Sequence, residues 1–146
     1  MKTYRADFHI GGDVRGEAIV SRLPLSFLGG VNSETGMIID SHNPLCGSSM
    51  AGKILIYPFS KGSTGDCMRL WRTCFNGKGP IAIINTTPDP IHVEGALLAD
   101  LPLVFGLEAD PTVVFQTGDI LEIHGNTVEL VVRAKEAPFK QHPTEE

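Results

Sequence analysis

Residues 53–85 read KILIYPFSKGSTGDCMRLWRTCFNGKGPIAIIN, and the order of patterns in them decides the fold class. Lys53-Ile54-Leu55-Ile56-Tyr57-Pro58 is a continuous apolar run of strand length, the kind buried on both faces. The period then changes: Cys67, Leu70, Trp71 and Cys74 fall at i, i+3, i+4 and i+7, one stripe of a helix over about 64–76. Gly77 is a natural stop, because a helix often ends in a left-handed residue that glycine adopts cheaply. Ser63-Thr64-Gly65-Asp66 has the shape of a capping box, with an acidic side chain three places after a serine. Pro80-Ile81-Ala82-Ile83-Ile84-Asn85 is a second buried-type strand. A strand, a helix and a strand in this order imply a parallel pair.

Outward from this unit the chain reads as short strands joined by glycine and proline turns. Gly16–Val20 and Gly36–Asp40 are strand-like, and Leu25–Gly30 enters a bend that glycine permits. Downstream, 95–100 reads as a short helix and 101–105 as a strand. Asp119–His124 and Thr127–Val132 alternate around Gly125-Asn126, a two-residue hairpin signal. Residues 1–135 are expected to form a single domain, and 136–146 a polar, loose C-terminal tail. The chain of 146 residues and 15.7 kDa is long enough to bury one core without disulfides or a structural metal.

Sixteen glycines and ten prolines make the chain turn-rich, while 42% apolar residues and a mean hydropathy of +0.05 separate it from disordered sequences. A formal charge of −5 argues against nucleic acid and anionic membrane as partners, since both call for a basic face. No apolar run reaches membrane-span length and the N-terminus lacks a secretory signal, so a cytoplasmic location is expected. Three cysteines without a CxxC pair agree with a reducing compartment.

The constellation richest in chemistry is Tyr57 to Gly65, where a strand breaks into a glycine-lined turn and opens a helix. Unpaired N–H groups and the positive end of the helix dipole converge there, and Lys61 adds a mobile charge. A serine in that field is open to two readings: its alkoxide form is stabilised, as a serine base requires, or Ser63 is a plain helix cap. Cys67 and Cys74 lie on the apolar face of the predicted helix, where free cysteine acts as a small hydrophobe. Cys46 stands beside a turn. His9, His42, His92, His124 and His142 have no zinc spacing, and no metal ligand is assigned. His42, in the polar loop 41–47, is retained as a side chain that faces a cleft or plain solvent. Asp89 and His92 read as capping and turn chemistry.

Six ordered segments resemble the small subunit of the aconitase X family: Ser26–Gly30, Thr35–Asp40, His42–Gly47, Ala51–Pro58, Lys61–Thr64 and Pro80–Asn85. The similarity continues through 91–102 and covers about residues 10–132. It implies an α/β fold, the aconitase-type swivelling β/β/α domain with a barrel-like mixed sheet. It also implies a heterodimer: a large subunit holds an iron–sulfur cluster that this chain does not ligate, and the small subunit supplies the catalytic serine. By position that serine is Ser63, the base that removes a proton beside a carboxylate, while the cluster as Lewis acid draws off the neighbouring hydroxyl. Lys61, Gly62, Thr64, Ser26 and His42 are the expected contacts to a small hydroxy-acid substrate, with Ser60 and Thr64 as reserve hydroxyls.

Where many archaeal members resembling mevalonate 5-phosphate dehydratases continue as GSTVGSY, this chain has Gly62-Ser63-Thr64-Gly65-Asp66-Cys67. Asp66 places negative charge near the entrance, against a phosphate dianion, so the reading leans to dehydration of cis-3-hydroxy-L-proline, with mevalonate 5-phosphate as the alternative. Two further readings compete. One is a non-catalytic assembly module of the same fold with Ser63 as a cap; the other is a self-sufficient enzyme using the 61–64 loop for an anion.

Overall fold

In a computed structural model, residues 2–135 are described; the expected loose tail, 136–146, lies outside them. The elements are β1 (Lys2–Ile10), β2 (Val14–Val20), β3 (Val31–Asn32), β4 (Met37–Ile38), β5 (Ile54–Tyr57), α1 (Asp66–Phe75) and β6 (Ala82–Asn85). They continue with α2 (Pro90–Ala99), β7 (Leu103–Leu107), α3 (Pro111–Val114), β8 (Ile120–His124) and β9 (Thr127–Val132).

Seven strands close into a barrel in the order β1-β7-β6-β5-β2-β8-β9, and β1 pairs with β9 to complete the ring. The β2, β5, β6 and β7 neighbours run parallel, whereas the pairs of β1 with β7 and β9, and of β8 with β2 and β9, are antiparallel. The parallel pair expected from residues 53–85 is present, with Leu55 opposite Ile83 and Tyr57 opposite Asn85.

Two apolar layers explain why β5 and β6 carry unbroken apolar runs. Ile54, Ile56, Ala82 and Ile84 join the cluster of Val104, Leu121, Ile123 and Val128, the strand residues of the barrel interior. Leu55, Tyr57 and Ile83 point the other way, into a second cluster with Leu25, Phe27, Ile38, Leu70 and Ala96. The period of two along a strand puts alternate residues into the two layers, and both layers are buried. Each fully buried Ile or Leu there contributes about 1.5–3 kcal/mol through burial.

Helices α1 and α2 pack on each other and over this outer layer. Their close approach depends on Gly95, where an added Cβ would sit 2.9 Å from the Leu70 side chain and 3.0 Å from the Cys67 carbonyl oxygen. The predicted stripe of α1 is placed as expected at Cys67 and Leu70, which are buried, while Trp71 and Cys74 are half-buried. Gly77 has φ +75° and ends the helix as read.

Several boundaries differ. Residues 36–40 form only the two-residue strand β4, paired with β3. The helix expected over 95–100 begins five residues earlier, with Asp89 as N-cap and Pro90 in its first turn, and the following strand is 103–107. Strand β1 went unread because only Ala6 of its nine residues is buried; its strand state comes from closing the ring between β7 and β9.

Candidate active site

The parallel strand β5 delivers the chain into the loop 58–65, which returns as α1. The loop is tied down at its start. Leu25 N donates to the Phe59 carbonyl oxygen (3.2 Å), Lys61 N to the Leu25 carbonyl oxygen (3.1 Å), and Gly62 N to Ser60 Oγ (3.0 Å). Ser60 N donates to Asp89 Oδ2 at 2.5 Å. Ser63 and Thr64 then stand exposed at the apex.

The capping-box expectation is overturned here. Helix α1 begins at Asp66 with Gly65 as its N-cap, in helical conformation and without a side-chain cap bond. Ser63 contributes only its carbonyl oxygen, which accepts from Asp66 N at 2.9 Å. The Ser63 hydroxyl is therefore not committed to the helix.

Asp66, expected near the entrance, is fully buried and turned inward. Its carboxylate accepts from Ser26 Oγ (2.9 Å), Phe27 N (3.0 Å) and Leu28 N (2.6 Å), and from His92 Nε2. Burial alone would raise its pKa; the bonds from His92, the two amides and Ser26 outweigh burial and hold it at about 2. Because the folded pKa lies below the unfolded one, this stability is complete above about pH 4 and is lost as pH falls towards 2, a difference of about 2 kcal/mol. Urea denaturation of the chain at pH 5 and pH 2.5 is expected to reveal that drop, and Asp66→Asn to remove its share of the pH dependence.

His92 is likewise buried and is more than turn chemistry, which corrects that expectation. The Tyr57 hydroxyl lies 2.5 Å from Nδ1, and burial pushes the Tyr57 pKa well above its ordinary value, so the phenol keeps its proton. The network thus assigns the tautomer: Tyr57 donates to Nδ1, and Nε2–H donates to Asp66.

Above this buried layer lies a shallow cleft of about 340 Å³ lined by Ser26, Leu28, Gly29, Gly30, Asp40 and Lys61. Lys61 Nζ reaches Asp40 Oδ2 at 2.8 Å, and this bond, with the His42 amide, holds the Asp40 carboxyl below its ordinary range. Of the side chains expected to touch substrate, Ser26 and Lys61 line the cleft together. His42 is almost wholly exposed, 3.7 Å from Asp40 through Nδ1. Gly62, Ser63 and Thr64 sit on the adjoining loop rather than in the lining. Gly62 packs against the Asp66 carboxylate, where a Cβ would lie 2.5 Å from Cγ.

Asp40, Asp66, Tyr57 and His92 were missed as site residues. Only the Asp-Pro step at 89–90, a helix-start signal, pointed towards His92 in the first turn of α2.

The donor set does not fit an iron–sulfur cluster. Cys46 is exposed on the 41–50 loop, while Cys67 and Cys74 stand about 10 Å apart along α1 by helix rise. Burial raises both of those thiols, Cys74 to about 11, away from the thiolate that iron needs. Among the described residues, the one group of three ligand-type side chains whose ligand atoms all lie within 4.8 Å of one another is Glu122, His124 and Glu129, which contains no sulfur. No helix of the described residues is long and apolar enough to cross a membrane.

A sequence model of the family described as the aconitase X swivel domain matches residues 3–132. The chain is 38% identical over 115 residues to the phosphomevalonate dehydratase small subunit of Methanosarcina acetivorans, covering 79% of this chain and 80% of that protein. It is 41% identical over 123 residues to the protein of the same description from Thermococcus gammatolerans, covering 84% and 92%. The crystal structure of Thermococcus kodakaraensis aconitase X in its holo form superposes with a TM-score of 0.84 at 37% identity, covering 90% of this chain and 99% of that one.

Proposed function

This chain belongs to the aconitase X swivel-domain family, and from that premise we propose that it is the serine-bearing small subunit of an aconitase X-type dehydratase. A large subunit completes the active site and carries the iron–sulfur cluster, which supplies Lewis acidity for loss of the hydroxyl. This chain's contribution is the proton: Ser63 removes it from the carbon next to the substrate carboxylate. The observation that carries the reading is the state of Ser63, which is exposed at a loop apex with its hydroxyl unspent on a cap.

A proton beside a carboxylate is weakly acidic, so its base must be placed within a few ångströms and shielded from water. The loop, anchored at Ser60 and Asp66, provides placement. Shielding requires a second chain over the exposed apex. Ser26 and Lys61 contact the substrate from the cleft beside it.

Mevalonate 5-phosphate is the preferred substrate. The lean towards cis-3-hydroxy-L-proline depends on Asp66 as a charge at the entrance, and that ground is gone because Asp66 is buried, with its carboxylate turned inward onto four donors. The charge left at the cleft is the Lys61–Asp40 pair, in which an entering phosphate competes with Asp40 for Nζ. The relatives described as phosphomevalonate dehydratase small subunits support the same choice.

Reconstitution with the large subunit tests the substrate. Formation of the unsaturated acid from mevalonate 5-phosphate, at a kcat/KM at least 100-fold above that for cis-3-hydroxy-L-proline, is expected. The opposite preference would return the assignment to hydroxyproline.

A further inference from the structure

Beneath the Ser63 loop runs a buried line of polar groups whose members come from β5, α1, α2 and the 26–30 loop. Tyr57, at the end of β5, donates to His92 Nδ1, and His92 Nε2 donates to Asp66 at the start of α1. Asp66 in turn holds Ser26, Phe27 and Leu28, of which Ser26 and Leu28 line one wall of the cleft. On the other side of the ring, Asp89 Oδ2 lies 3.6 Å from His92 Nδ1 and accepts from Ser60 N. His92 therefore sits between the two carboxylates that fix the two ends of the loop bearing Ser63. The loop also folds directly over one of them, since the Gly62 backbone leaves no room for a Cβ beside Asp66.

We infer that His92 and Asp66 form a buried brace that sets the position of Ser63 relative to the Ser26–Gly30 wall, which makes His92 a positioning residue for proton abstraction. The inference rests on the reading of Ser63 as the base. An apolar core of equal volume would serve stability as well as a buried carboxylate–imidazole hydrogen bond does. A satisfied polar network adds one defined arrangement of the elements it joins. A base needs that definition, because displacement by about 1 Å costs on the order of 100-fold in rate.

His92→Leu keeps volume in the brace and leaves Asp66 its bonds from Ser26, Phe27 and Leu28; His92→Gln also keeps a donor towards Asp66. In the reconstituted complex, His92→Leu is expected to lower kcat about 10- to 100-fold with KM changed less than about threefold, and His92→Gln to fall between it and the parent. Amide hydrogen exchange of the full chain provides a second readout that does not depend on activity. In His92→Leu, protection at Phe27, Leu28, Lys61 and Gly62 is expected to drop together by about tenfold or more, while Ile123 and Val128 keep theirs.

Parent-level kcat in the His92→Leu complex overturns the positioning role, and unchanged protection at Phe27 and Leu28 overturns the brace itself. Should His92→Leu fail to fold, His92→Gln decides: a loss of kcat of about threefold or more with loosened loop amides supports the inference, and parent values of both overturn it. Loosened amides together with a fully active Ser63→Ala complex would remove Ser63 as the base and leave the brace standing, so the two readings fail separately.

Discussion

Ser63→Ala is expected to lower kcat of the reconstituted complex by about 10²- to 10⁴-fold, the range of a positioned general base, while KM shifts less than about threefold. The same substitution should leave the stability of the chain within about 0.5 kcal/mol of the parent, as surface changes do. The second half of this expectation comes from the structure. A serine that caps a helix costs about 1 kcal/mol when removed, but α1 starts from Gly65 without a side-chain cap, and the Ser63 hydroxyl is exposed. Rate and stability therefore separate the catalytic reading from the assembly module. A dead complex with an unchanged melting curve supports the base. A fully active complex would sink it and favour a subunit kept for assembly alone. Ser60→Ala is a useful contrast, because Ser60 Oγ accepts from Gly62 N and shapes the loop that Ser63 occupies.

Asp66→Ala should be the most damaging single change to the fold, at about 3–5 kcal/mol, since each buried donor left without its acceptor costs about 1–3 kcal/mol. Its carboxylate is the acceptor for His92 Nε2, Ser26 Oγ and the amides of Phe27 and Leu28; alanine leaves the imidazole and the two amides without that acceptor, while Ser26 Oγ keeps the Leu28 carbonyl oxygen. For a chain of this size the loss corresponds to about 10–15 °C in melting temperature. Asp66→Asn retains the shape and one acceptor oxygen, so an intermediate loss is expected. Asp40→Ala, which breaks the surface pair with Lys61 and the turn bond from the His42 amide, should cost no more than about 1 kcal/mol. Equal midpoints for Asp66→Ala and the parent would show that the network adds nothing to stability.

These two residues, three positions apart, mark the limit of reading by local pattern. Serine followed three places later by an acid is a capping box on paper, and a local rule can assign both residues to the helix end. In the folded chain neither plays that part. The acid is drawn inward by His92, 26 residues away, and by the loop at Ser26, 40 residues away. The serine is released because the helix starts beyond it. Asp89 was legible as a cap because its capping partner, the His92 amide, is three places on, although its bond from Ser60 N was not; the His92 ring was not legible, because its two ring partners come from α1 and β5.

The sequence by itself determined the parallel unit at 53–85, the glycine stop at Gly77, the hairpin at Gly125-Asn126 and, through ordered motifs, the family and the loop that bears Ser63. All of these rest on periodicity, turn chemistry or contiguous motifs, and such signals survive in a one-dimensional string. Tertiary structure alone decided that Lys2–Ile10 is a strand, that the ring is closed, that Lys61 faces Asp40, and that Asp66 is a buried anchor rather than a charge at the entrance. Each of these depends on partners distant in sequence. Burial then inverts the meaning of a charged residue, since a carboxylate that would repel a phosphate at the surface becomes, once surrounded by donors, the fixed point on which the site is built.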